Sequence, residues 1–185
     1  MQIVSSVRHE FGHLVIAKVV GFSTGDIKLK TSQAGAQVDL LPTFSTLANV
    51  QDYCERRIKV LYAGPCAEAL NGGRVDLNAG RRLLMTTSAN DHAKIRELTR
   101  IICGVTCPSI KDVAEFAHQL KEIDNALAEE TVRMVEQDAS LIKNLTVFFM
   151  KKLDEEERRL GHQPIEFIMP RDAIDAFPGV TSRFP

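Results

Sequence analysis

Apolar residues recur at helical spacing over most of this chain, and short alternating stretches interrupt the pattern near its two ends. Leu14, Val15, Ile16 and Ala17 follow a run that Ser5 or Ser6 can cap, and Gly21 offers a left-handed stop, so a helix is predicted from there to about Val20. Asp26–Lys30 and Gln37–Leu41 read as two short strands around a turn over Thr31–Ala36, where Gly35 suits the turn. From about Leu47 to Leu70 the helical period returns, with Ile58, Leu61 and Tyr62 sharing a face. Gly64-Pro65 inside that run predicts a kink or break, because proline removes a helix hydrogen bond, and Asn71-Gly72-Gly73 ends it. A loop or short helix through Arg82–Met85 follows, then a helix from Ser88 to about Cys103 and a further segment from Pro108-Ser109. One long helix is expected from about Asp124 to Arg159, where Met134, Leu141, Leu145 and Phe148 keep the period. Gly161 ends it, Pro164–Met169 reads as a strand, Pro170 opens a last short helix, and the residues around Pro178 and Pro185 are expected to be loose. The outcome is a mainly α fold with a small β element of two or three short strands beside the first helix.

Composition narrows the function classes. At 185 residues the chain fits one domain with a real core, and 44% hydrophobic with 25% charged residues is ordinary for a soluble globular protein. A net charge of −1 argues against a dedicated nucleic-acid surface. The longest apolar stretches, such as Leu14–Val20 with Lys18 inside it, are too short to cross a bilayer, and no signal-peptide pattern opens the chain, so no membrane insertion is expected. Cys54, Cys66, Cys103 and Cys107 are too sparse for a disulfide scaffold, and Cys103 and Cys107 lack the second pair of a metal knuckle. A reducing cytoplasm is the expected compartment.

The chemistry is concentrated in His9-Glu10-Phe11-Gly12-His13. Residues four apart on a helix lie on one face, so both imidazoles can meet one zinc ion. Glu10, rotated by about a hundred degrees from His9, can reach a zinc-bound water without binding the metal. A carboxylate so placed can take the proton of that water and hand it to the leaving amine, which is the division of labour in peptide hydrolysis. Buried histidines on so apolar a helix need partners, and a metal supplies them. A third protein ligand is missing from the motif, and His92, His118 and His162 fall in no familiar extension of it. Asp91 and Glu68 are the carboxylate candidates; Ser88 to Asp91 also resembles a capping box, and Glu68 also suits an exposed ion pair.

These residues bear a resemblance. The helix Val7–His13 is similar to the His-Glu-Ala-Gly-His helix of the peptidase domain of the FtsH family of membrane-anchored, ATP-dependent zinc metalloproteases. Arg57–Glu68, ending Gly64-Pro65-Cys66-Ala67-Glu68, looks like that family's Gly-Arg-Ala-Ala-Glu helix, and Ser88-Ala89-Asn90-Asp91 followed by Ile95 and Arg100 is close to the segment supplying its third ligand. The resemblance covers most of residues 5–160, with 161–185 as a C-terminal strand, short helix and tail. It implies a helical zinc-peptidase domain in which Asp91 completes the ligand set and Glu68 and Asn90 support the site from behind. It also implies that substrate adds as a strand to an exposed edge near Ile27, Leu29 or Val38. The implied activity is a zinc metalloendopeptidase acting on unfolded or flexible polypeptide; the alternative is a non-catalytic zinc-containing binding or adaptor module. Phe11 and Pro65-Cys66 depart from the family pattern, and no Gly-x-x-x-x-Gly-Lys-Ser/Thr loop appears, Gly21–Lys28 mimicking one only superficially. A separate ATPase and a second copy of the chain are therefore the partners to consider besides substrate.

Overall fold

In a computed structural model that describes residues 2–30, 33–40 and 42–185, the chain opens with helix α1 (Gln2–Val19). This helix begins before Ser5, so neither serine is its N-cap. Its end is as expected: Gly21 takes φ +82°, and the amides of Gly21 and Phe22 bond back to the carbonyls of Lys18 and Ala17. Strands β1 (Ser23–Lys30) and β2 (Gln33–Asp39) follow, longer than predicted, with Gly35 paired opposite Lys28 inside the ladder rather than in a turn. Thr31, Ser32 and Leu41 lie outside the described residues. Helix α2 (Leu47–Glu68) is capped by the Thr46 hydroxyl, which accepts the Asn49 amide, and runs unbroken through Pro65. The proline removes one bond in the last turn, and the buried residues around it keep the helix intact.

A two-residue hairpin, β3 (Leu70–Asn71) with β4 (Arg74–Val75), turns on Gly72 and Gly73, both at positive φ. Helices α3 (Leu77–Leu84) and α4 (Ala89–Thr106) come next. The single long helix expected to Arg159 is two, α5 (Val113–Gln137) and α6 (Ala139–Leu160), parted at the buried Asp138. Strand β5 (Glu166–Met169), α7 (Arg171–Asp175) and α8 (Pro178–Arg183) complete the chain. The end is docked, not loose: Val180 is buried, and Arg183 donates to Asp138 at 2.9 Å. Helix accounts for 69% of the structure, so the mainly α class with a small β element is the one adopted. Among the described residues no helix is long and apolar enough to cross a membrane.

The antiparallel sheet has the order β2-β1-β5, which makes β1 the central strand. Ile27 and Leu29, expected at a docking edge, are instead buried in the core between two partner strands; Val38 lies on β2, which is an edge. The core gathers the apolar side of α1 against α2, α6 and the sheet. Gly12 lets α1 and α2 approach closely, since a Cβ there would sit 2.5 Å from the Ala63 carbonyl oxygen and the Ala67 Cβ. Phe11 points the other way, fully buried with its ring edge-on to Phe149 of α6, which in turn meets Phe167 of β5. The large residue inside the motif thus ties the first helix to the last third of the chain. Phe11→Ala is expected to cost about 3–5 kcal/mol in denaturant unfolding of the metal-free protein; a loss below about 1 kcal/mol would mean that the neighbouring rings collapse into the space.

Candidate metal centre

Two elements deliver the three donors. His9 and His13 lie one turn apart on α1, and Asp91 enters from the first turn of α4. The Nε2 atoms of His9 and His13 are 3.0 Å apart, and each is 3.5 Å from Asp91 Oδ2. Their side chains are mostly buried, at 13%, 12% and 18% exposure. This is the group of His, Cys, Asp or Glu side chains that can share one ion among the described residues. Asp91 therefore joins the two histidines, as the resemblance implied, and the capping box does not form: the Ser88 hydroxyl is buried without a hydrogen-bond partner.

The opposite ring nitrogens are fixed. His13 Nδ1 donates to the Val60 carbonyl oxygen at 2.7 Å, and His9 Nδ1 lies 3.2 Å from Glu68 Oε2. A carbonyl can only accept, so neutral His13 carries its proton on Nδ1; the same tautomer at His9 satisfies the Glu68 carboxylate. Glu68 is itself held by the Ser5 hydroxyl at 2.8 Å. With both rings neutral, two Nε2 lone pairs and a carboxylate oxygen then face one another, and a metal ion or, in its absence, an added proton can sit between them. Such a triangle is repulsive until positive charge, from a metal ion or a proton, enters it. Its sides match the separation of about 3.4 Å expected for donors roughly 2.1 Å from a tetrahedral zinc, and two imidazoles with a carboxylate are a zinc donor set. The residues fit the ion.

Burial pushes His9 down, but Asp91, Glu68 and Glu10 outweigh it and raise its pKa from 6.5 to about 9. Burial pulls Asp91 up, yet its hydrogen bonds to His13 and His9 hold it well below the usual carboxylate range. Without metal, the folded chain therefore keeps a proton on His9 that the unfolded chain has lost. That stabilisation is fully present below about pH 6.5 and disappears as pH rises through about 9. Protein stripped of metal is expected to melt at falling temperature across this window, whereas zinc-loaded protein should weaken in the opposite direction, as protons displace the ion. Melts in chelator and in zinc from pH 6 upward check both slopes, and a flat profile in chelator would remove the acidic clamp on His9.

Glu10 is no ligand. Its Oε2 accepts the backbone N–H of Ala36 on β2 at 2.7 Å, and it faces the same cleft as the three ligands. The cleft, about 240 Å³, is walled by Gly35, Ala36 and Val38 and by Arg57, Leu61 and Lys94. Asn90 is exposed and does not line it, because the neighbour of Asp91 points elsewhere around α4. His92 lines a different pocket, with Arg96 and Asp124, and His118 and His162 are exposed, so none joins the cluster.

Gly64 has a role that neither its helix-breaking character nor its place in the resemblance announces. A Cβ at this position would lie 2.5 Å from His13 Nε2 and 2.6 Å from His9 Nε2. One face of α2 thus carries, turn by turn, Arg57, the Val60 carbonyl, Gly64 and Glu68. All four cysteines are free, and burial pushes the Cys66 thiol up to about 12, so it is inert. No family model matches the chain, and no curated protein is significantly similar to it in sequence.

Proposed function

We propose that this protein is a zinc metalloendopeptidase of the FtsH-like kind, hydrolysing peptide bonds in unfolded or flexible polypeptide. The observation that carries the reading is the pairing of three converging donor atoms with a carboxylate that is not one of them, both open to one cleft. Bound zinc supplies a Lewis acid that polarises a carbonyl and draws the pKa of a coordinated water toward about 7. His9, His13 and Asp91 hold the ion, while Glu68 and the Val60 carbonyl fix the tautomer and direction of the two rings. Glu10 takes the proton of the attacking water as the C–O bond forms, and returns it to the amine nitrogen as the C–N bond breaks.

A substrate in extended form would add to β2, which is bonded to β1 along one side only. The Ala36 amide is already taken by Glu10, so pairing is left to its neighbours along that edge, Val38 included. A non-catalytic zinc module would favour a closed fourth position, and among the described residues no fourth side chain joins the three. A cytoplasmic setting agrees with the free thiols, and a separate ATPase is the partner that would deliver unfolded chains. The test is metal content followed by cleavage of an unfolded protein. Near one zinc per chain, with cleavage lost in chelator and restored by zinc, is expected. Zinc-loaded protein that cuts no unfolded polypeptide would sink the peptidase reading and leave the binding module.

A further inference from the structure

Arg57 stands two turns before Gly64 on α2, and Lys94 stands one turn after Asp91 on α4. Both line the cleft together with His9, His13 and Asp91 and with Gly35, Ala36 and Val38 of β2. The Arg57 guanidinium is half-buried yet makes no hydrogen bond or ion pair with a described residue, and burial pulls its pKa below the ordinary value. Asp91 lies close enough to act on it through space but not within ion-pair distance, so Arg57 is not committed to a ligand. The negative groups lining the cleft, Glu10 and Asp91, are balanced by Arg57 and Lys94. A divalent ion would therefore leave the cleft positive, with a desolvated guanidinium free to make the paired bonds that a carboxylate offers.

We propose that Arg57, backed by Lys94, is a specificity residue that binds a carboxylate of the substrate beside the scissile bond. The inference rests on the peptidase reading and adds a substrate class to it: segments with an acidic side chain at the cut or, where the carboxylate is a free C-terminus, cutting close to the end of a chain. A lysine would serve Arg57 poorly, since a point charge lacks the planar fork.

The test is calorimetric binding to zinc-loaded Glu10→Gln protein, using flexible peptides matched in sequence. One pair differs by glutamate against glutamine, a second by C-terminal acid against amide. At least tenfold tighter binding of one carboxylate form is expected, with the favoured pair naming the source, and Arg57→Gln should abolish that advantage at unchanged zinc content. A carboxylate that merely ligates the metal would keep its advantage in Arg57→Gln, which overturns the proposal. So would equal binding within both pairs, no binding of any peptide, or loss of zinc on Arg57→Gln, which would make Arg57 a support for Asp91. Cleavage by protein with Glu10 intact is scored separately. Carboxylate preference without cleavage fails the peptidase reading alone, and cleavage without preference fails this one alone.

Discussion

Glu10→Gln is expected to retain a full complement of zinc and to lower the rate of peptide cleavage by roughly 10²- to 10⁴-fold. The substitution isolates chemistry from structure unusually well here. The Glu10 carboxylate accepts the Ala36 amide at 2.7 Å, and the carbonyl oxygen of a glutamine can accept the same bond. Side-chain length, position and the tie to β2 are therefore preserved, and what disappears is the capacity to take a proton. Because Glu10 is not among the three converging donors, the metal site loses no ligand. Zinc by elemental analysis and kcat on a quenched-fluorescence peptide are the two readouts. A variant that cleaves at the wild-type rate would remove Glu10 from proton transfer and direct attention to another base.

Gly64→Ala is expected to reduce zinc affinity by about 10²-fold or more, although it adds one methyl group in the middle of a helix. In a free helix the exchange would be favourable by about 1 kcal/mol. Here the new Cβ would stand 2.5 to 2.6 Å from ring atoms of both His9 and His13, and neither ring can swing away without leaving its Nδ1 partner. The exposed Gly104 of α4 is the matched control, since a Cβ there meets nothing within 4 Å. Gly104→Ala should raise stability slightly and leave zinc untouched. Competition with a chromophoric chelator measures both, and an unaltered affinity in Gly64→Ala would show that α1 can retreat from α2 without disturbing the site.

The part of the site made of side chains on one helix was legible in advance, because four-residue spacing translates directly into a shared face. Asp91 and Glu68 were candidates from the residues alone, but a cap and an exposed ion pair were the commoner readings of them, and only the resemblance favoured Asp91. The rest had no residue-type signature. Val60 contributes a carbonyl and Ala36 an amide, which every residue possesses, and Gly64 contributes the absence of a side chain. Long-range pairing explains the errors of fold as well. The apolar period runs straight across Asp138 and does not announce the break there, where the buried carboxylate meets Arg183 from far along the chain. Ile27 and Leu29 alternate like edge residues until β5 arrives from the C-terminal end to make β1 central.

That arrival has a consequence for how the molecule comes into being. A ribosome releases the helix with His9 and His13 well before β5, so the sheet beside the site remains incomplete while the residues between them are made. Through that interval β1 exposes a bare flank, and the nascent polypeptide carries the elements of the His9, His13 and Asp91 cluster beside a sheet that lacks β5. Synthesis order thereby acts as a timer, holding back the completed sheet beside the candidate metal centre until β5 has been made.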